Sequence, residues 1–405
     1  MRARNLTRSF PVLLTLASFL LLPALAAAQK EIVVWHAYRG AEKTAFEKVV
    51  DQFNKSHTGI KATTLAVPYD AFADKITAAV PRGKGPDVFI YAQDRLGGWV
   101  AAGNTVEPID FFLDAPTKGR FLGATLQAMT YQGNVYGLPL NYKVITLIYN
   151  KKLVPKPPKT SAEMATLAKS LTNAASGKFG LAYAYNDFYY HAAIMNGFGG
   201  GVFDGRKPTL NSAPDVKAAE TLMSWLGQGF LPAEPSVALI TALFNQGKAA
   251  MVFSGPWFLG EINGVDFGLA PLPTLNEAGG KPMRPWITVE GVYIAAPSKS
   301  KDAAYEFVKY VTDTPAAKTL ALEGRQSPAN KAVYSDQQVA ADPILKAFRQ
   351  QVDVGVPMPN LPEMTMVWTP ATTAMNTIVK KAATPKAALD QAQKEVLDRI
   401  SKLRK

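Results

Sequence analysis

The chain has 405 residues, no cysteine, a formal net charge of +12, and 48% hydrophobic against 19% charged residues. That length exceeds what one hydrophobic core usually accommodates, so two lobes are expected. Without cysteine there is neither a disulfide framework nor a thiol for lipid attachment. The basic residues are scattered rather than run together, and no nucleic-acid motif is present, which argues against a nucleic-acid partner.

The first 28 residues have the form of a secretory leader. Arg2, Arg4 and Arg8 precede an apolar run from Val12 to Leu22, Pro23 breaks it, and Ala26-Ala27-Ala28 offers small residues for cleavage. The run is too short to span a bilayer comfortably. Cleavage after Ala28 would leave 377 of the 405 residues and remove three arginines, taking the net charge from +12 to +9. An exported, cysteine-free chain points to the periplasm of a two-membrane bacterium.

Ile32–Trp35 is expected to be the first strand. Phe46, Val49, Val50 and Phe53 give Ala41–His57 the i, i+3, i+4, i+7 stripe of a helix lying on a sheet. Ile60–Val67 is strand-like, Asp70–Val80 repeats the helical stripe, and Asp87–Tyr91 is a short apolar strand. This β-α-β-α-β succession implies a mainly parallel, doubly wound sheet. Val144–Tyr149 is a further strand, stopped by Pro155-Lys156-Pro157-Pro158, and Thr160–Leu171 restarts as a helix. Helices Val216–Leu226 and Ala238–Asn245 lead to strand Ala249–Phe253. Strand Gly291–Ala296, helix Asp302–Thr312 and helix Pro385–Leu403 close the chain.

The most informative stretch is Pro86–Trp99, PDVFIYAQDRLGGW. In open α/β sheets ligands bind beyond the carboxyl ends of strands. Here an aromatic (Tyr91), a carboxylate (Asp94), a guanidinium (Arg95) and the turn residues Gly97 and Gly98 follow such a strand. Those groups grip a sugar: rings stack on its C–H faces, and charged groups hydrogen-bond its hydroxyls. Trp257 follows Gly-Pro at a strand end, where a core aromatic would more often sit mid-strand. Tyr189 and Tyr190 lie in the aromatic run Tyr183–His191, just before Gly197–Gly201. That glycine cluster lacks full G-x-G-x-x-G spacing, because position 202 is valine, and is taken as a turn.

These separated segments resemble the periplasmic maltose/maltodextrin-binding proteins of ABC sugar importers. The likeness lies in GPDVFIYAQDRLGGW (85–99), GLPLNYKVITLIYNKKLVPKPPKT (137–160), FNQGKAAMVFSGPWF (244–258) and MPNLPEMTMVW (358–368), and runs along the rest of the chain after the leader. It implies the α/β, two-lobed periplasmic binding protein fold, each lobe a mainly parallel sheet flanked by helices, joined by crossover hinge segments. The lobes are expected at 29–141 with 291–338, and at 142–290 with 339–405. The implied function is to close on an oligosaccharide and present it to the permease subunits of an importer. A chemoreceptor is a further candidate partner, a monomer is expected, and no cofactor or metal is implied.

By the same resemblance, Tyr91, Asp94 and Arg95 match sugar contacts of the first lobe. Asp187 stands in for a family glutamate, Tyr189, Tyr190, Trp257 and Trp368 match second-lobe aromatics, and Met358 matches an apolar contact. The departures are also informative. Arg39-Gly40, preceded by His36 and Tyr38, replaces an Asp-Lys pair; Lys143 replaces a glutamate; Thr369 and Thr372 replace a tyrosine and an arginine. His36, Tyr38, Arg39 and Lys143 are therefore further candidate contacts.

Two other functions compete. Asp94 and Asp187 could be the acid and base of a glycosidase, although Arg95 beside Asp94 favours an ionised acceptor over a general acid. No serine nucleophile elbow, Walker loop or H-E-x-x-H motif accompanies them, and His36, His57 and His191 are too scattered to suggest a metal site. Alternatively, Lys143 and Arg39 could recruit an anionic sugar. A neutral α-glucan is favoured, because Asp94 and Asp187 would oppose an anion.

Overall fold

A computed structural model of the protein describes residues 29–403; the leader expected over residues 1–28 lies outside the described residues. The chain opens with strand β1 (Lys30–His36), helix α1 (Gly40–Ser56), strand β2 (Ile60–Ala66), helix α2 (Tyr69–Ala79) and strand β3 (Val88–Ala92). β1 pairs in parallel with both β2 and β3, as two right-handed crossovers dictate. The apolar stripe of α1 (Ala45, Phe46, Val49, Val50, Phe53) is buried.

Helix α3 (Leu96–Ala102) follows β3 after one tight turn. Gly97, expected in a turn, is inside this helix instead. A Cβ there would meet the carbonyl oxygen of Asn360 at 2.3 Å, and the Gly97 amide donates to that same oxygen at 2.9 Å. The glycine thus admits a distant backbone segment rather than bending its own.

Strand β4 (Gly137–Lys143) leads directly into strand β5 (Thr146–Asn150), which belongs to a second sheet. Helix α4 (Ser161–Leu171), capped by the Thr160 side chain, strand β6 (Phe179–Ala182), helices α5 (Phe188–Gly197), α6 (Ala213–Gly227) and α7 (Val237–Asn245), and strands β7 (Ala249–Ser254) and β8 (Phe267–Ala270) build that sheet and its cover. The chain returns along strand β9 (Trp286–Ile294) and continues through helix α8 (Lys301–Val311), strand β10 (Ser327–Pro328), strand β11 (Val356–Pro357), helix α9 (Met364–Val379) and helix α10 (Pro385–Leu403).

Among the described residues the larger sheet has the order β10-β4-β9-β3-β1-β2, with β11 pairing β9, and the smaller the order β8-β5-β7-β6. Both sheets are mixed, because β9 runs antiparallel to β3 and β4, and β7 antiparallel to β5. β9 begins at Trp286, five residues before the start expected from sequence. Buried on both faces, it shows no alternation to mark its beginning.

Each sheet carries its own core. One gathers Phe46, Phe53, Phe72, Phe89, Leu138, Val292 and Phe307; the other gathers Leu147, Leu181, Trp225, Phe244, Val252, Trp286 and Met375. Apolar burial contributes about 25 cal/mol per Å², so each lobe has an independent stabilising centre. A small third cluster joins Val339 and Leu345 to Ala317, Ala321 and Val333. No helix among the described residues is long and apolar enough to cross a membrane.

Candidate functional site

Between the two sheets lies a cavity of about 710 Å³. One side is built by the ends of β1, β2, β4 and β9. Period-two alternation puts Thr288 and Glu290 of β9 on one face, and Thr288 lies opposite Lys143 of β4. The Lys143 ammonium is 2.9 Å from Glu290 Oε1 and 3.5 Å from Glu42 Oε1. The other Glu290 oxygen accepts the Tyr38 hydroxyl at 3.0 Å, and Asn141 donates to that hydroxyl at 3.1 Å. Glu42 sits in the first turn of α1, where the helix dipole favours a carboxylate. Gly40, which opens that helix at φ +52°, replaces a residue that would be strained there.

Burial works against the charge on Lys143, but Glu290 and Glu42 outweigh it and hold its proton above the usual lysine range. Burial pushes the Glu42 carboxyl up, with Lys143 pulling it back. Burial, aided by Glu290, raises the Tyr38 phenol well above its ordinary range. The cluster therefore sets a protonated lysine between two glutamates, beside a neutral phenol.

The opposite side is aromatic. Asp187 caps α5 by accepting the Tyr189 amide at 2.8 Å, which places Tyr189 and Tyr190 in the first turn, facing Trp257 edge-on at ring separations of 6.0 and 6.4 Å. The Trp257 indole N–H donates to the Tyr190 hydroxyl at 3.3 Å. The sequence Gly-Pro-Trp explains the tryptophan's placement. Pro256 starts a one-turn helix, and a Cβ on Gly255 would lie 2.3 Å from the Trp257 ring. Only glycine lets the indole fold back over the backbone. Tyr69 completes the aromatic lining from α2.

Of the residues singled out from sequence, Tyr38, Arg39, Lys143, Asp187, Tyr189, Tyr190 and Trp257 line the cavity. Arg39 does so from the rim, its side chain 84% exposed and 3.9 Å from Glu261. The others do not form its wall. Tyr91 is buried between Tyr69 and Phe72, with ring separations of 5.1 and 5.2 Å. Asp94 is buried against Arg95 at 3.4 Å, and burial lifts its carboxyl to about 6, Arg95 opposing. Trp368 packs edge-on against Trp286 at 5.6 Å. Met358 is buried, its carbonyl accepting from Gln93 at 3.2 Å. His36 is wholly buried, accepts the Tyr38 amide at 3.0 Å, and burial lowers its ring to about 4.

Sequence reasoning missed Glu42, Tyr69, Thr288 and Glu290. Glu42 and Tyr69 stand in the first turns of their helices, where nothing in the local sequence sets them apart. Thr288 and Glu290 precede the expected start of their strand. A glutamate amid the apolar run Trp286–Ile294 was the available signal, since a buried carboxylate needs a partner. Among the described residues no group of His, Asp or Glu side chains is arranged to hold a metal ion.

Comparison with known proteins identifies the family. Residues 39–318 match the family described as bacterial extracellular solute-binding protein. The chain is 31% identical over 375 residues to a maltotriose-binding protein of Pyrococcus abyssi, covering 91% of this chain and 82% of that one. It is 30% identical over 378 residues to a galactooligosaccharide-binding protein of Bacillus subtilis, covering 89% and 87%. Among solved structures it is similar to a cyclo/maltodextrin-binding protein complexed with maltotetraose, with a TM-score of 0.83, 32% identity, and coverage of 92% of this chain and 97% of that one.

Proposed function

The chain belongs to the bacterial extracellular solute-binding proteins, and on that premise we propose that it binds a malto-oligosaccharide, closes its two lobes over it, and delivers it unaltered to an ABC importer. The observation that carries this reading is the cavity between the two sheets, with tyrosine and tryptophan on one side and fixed polar groups on the other. Stacked rings contribute roughly 0.5–1.5 kcal/mol each beyond area burial, and charge-assisted hydrogen bonds about 1.5–3 kcal/mol each. A few of each suffice for micromolar affinity, about 8 kcal/mol. A ligand touching both walls favours the closed arrangement and shifts the population toward it.

The lobes are proposed as 29–141 with 291–338 and 142–290 with 339–405; the cores part slightly differently, Tyr142, Ile287 and Val289 belonging to the first and Ile145 and Trp286 to the second. Tyr38, Lys143, Asp187, Tyr189, Tyr190 and Trp257 contact the sugar directly, and Arg39 sits at the mouth. Tyr91, Asp94, Arg95, Met358 and Trp368 lie outside this wall, and their assignment as sugar contacts rests on the family resemblance alone. The protein works as a monomer in the periplasm, behind a leader cleaved after Ala28, with the importer's permease subunits as partner and a chemoreceptor as a further candidate.

A glycosidase remains the rival in chemistry. Asp94 is buried beside Arg95 and outside the cavity wall, so it does not face Asp187 across a substrate. Titration calorimetry with maltotriose, followed by chromatography of the recovered sugar, tests the proposal. Micromolar binding with intact ligand is expected; shorter products that depend on the protein would contradict it. A galacto-oligosaccharide is the second arm, given the relative that carries that name.

A further inference from the structure

The charges around the cavity do not balance, and the imbalance bears on which glycans it can hold. Lys143, among the described residues the one cation reaching the interior wall, is spent on two partners, Glu290 at 2.9 Å and Glu42 at 3.5 Å, with its side chain 17% exposed. Two glutamates thus stand against one lysine, with burial pushing the Glu42 carboxyl up and Lys143 pulling it back. Asp187 adds a third acidic side chain from the opposite wall; burial pushes its carboxyl up, with the Tyr189 amide pulling it back, and no ion pair joins it among the described residues. One of its oxygens caps α5 through the Tyr189 amide at 2.8 Å; the other is free to meet a ligand. Arg39 does not restore balance, because its side chain is 84% exposed and leans toward Glu261.

We propose that the cavity selects by charge: it takes neutral glycans and amino-substituted, cationic ones, and refuses those bearing a carboxylate or phosphate. The inference rests on the sugar-binding reading above. Asp187 is the carboxylate that meets a sugar ammonium, through a charge-assisted hydrogen bond. The rings of Tyr189, Tyr190 and Trp257 carry negative quadrupoles on their faces that attract a cation and disfavour an anion. In a cavity with low-dielectric walls these terms act more strongly than on an open surface. Lys143 is a positioned donor to a sugar oxygen and no receptor for an anion, because binding one would require it to leave Glu42 and Glu290 facing each other unpaired.

The test is calorimetry on the full chain without its leader, using maltotriose and matched trisaccharides with glucosamine or glucuronic acid at either end, at low and moderate salt. The glucuronate sugars should bind at least about tenfold more weakly than maltotriose at low salt, and the gap should narrow as salt screens the charges. At least one glucosamine sugar should bind as tightly as maltotriose or more so. Asp187→Asn, which keeps the helix cap, should abolish the amine's advantage, and Glu42→Gln should improve glucuronate binding relative to maltotriose. Glucuronate binding equal to or tighter than maltotriose, or ratios unmoved by salt and by both substitutions, would overturn charge selection while leaving the sugar-binding reading intact. Failure of all the sugars to bind would overturn both.

Discussion

The hydroxyl of Tyr189 lies 3.1 Å from the hydroxyl of Thr288. Tyr189 opens a helix packed on the second core, whereas Thr288 belongs to a strand whose next residues lie in the first. One hydrogen bond thus ties an aromatic wall of the cavity to the segment that crosses between the sheets. The ring and the hydroxyl have separable duties: the face stacks on ligand, and the oxygen fixes the ring's tilt.

Tyr189→Phe should therefore weaken maltotriose binding by less than about tenfold, the worth of one neutral hydrogen bond. Tyr189→Ala should weaken it by more. Equal losses in the two variants, measured by calorimetry, would assign the residue's role to its hydroxyl alone.

Trp257 is only partly buried, and its ring stands over Gly255 at the cavity wall. Trp257→Ala is expected to reduce affinity at least tenfold, about 1.4 kcal/mol, with little change in Tm. A large drop in Tm with unchanged affinity would mark the side chain as core. Gly255→Ala should mimic the binding loss, since the new Cβ displaces the indole.

Lys143 pairs with two glutamates that face it from different elements. Lys143→Met leaves Glu42 and Glu290 uncompensated and should cost about 3–5 kcal/mol of stability, the usual penalty for breaking a buried pair. The triple change Lys143→Met, Glu42→Gln, Glu290→Gln should recover most of that loss in urea unfolding. No recovery would mean that the lysine stabilises the fold through packing rather than charge.

His191 is buried with no partner for Nδ1, and burial lowers its ring from 6.5 to about 4. The unfolded chain takes up its proton near pH 6.5, the folded chain only near pH 4. Between these values the unfolded state binds more protons, so stability falls as the pH drops through this window and is level above about pH 7. Relative to His191→Phe, the wild type should lose about 3 kcal/mol between pH 7 and pH 4. A constant difference across that range would contradict the burial of an uncharged ring.

Helices α5 and α9 went unforeseen, but the opening β-α-β-α-β order was readable from the sequence because amphipathic helices such as α1 print their buried face every third or fourth residue. So was the aromatic side of the site, since Trp257 after Gly-Pro and the Tyr189–Tyr190 pair are unusual at a strand end and a helix start. The polar side was not. Lys143 looked like a lone cation that might receive an anion, and only the fold brings it to Glu42, 101 residues before it, and to Glu290, 147 residues after it. Pairing across such separations leaves no periodic trace. The same holds for Asp94 and Trp368, whose types fit a sugar cleft but whose depth is set by packing against Arg95 and Trp286.

The central claim is that two lobes close on an unmodified malto-oligosaccharide. Small-angle X-ray scattering of the chain without its leader, with and without saturating maltotriose, tests it most directly when paired with chromatography of the recovered sugar. The account predicts a smaller radius of gyration in the complex, an unchanged radius in Trp257→Ala at sugar concentrations that saturate the wild type, and intact maltotriose afterwards. Tight binding with no compaction, or maltotriose returned as shorter sugars, would contradict it.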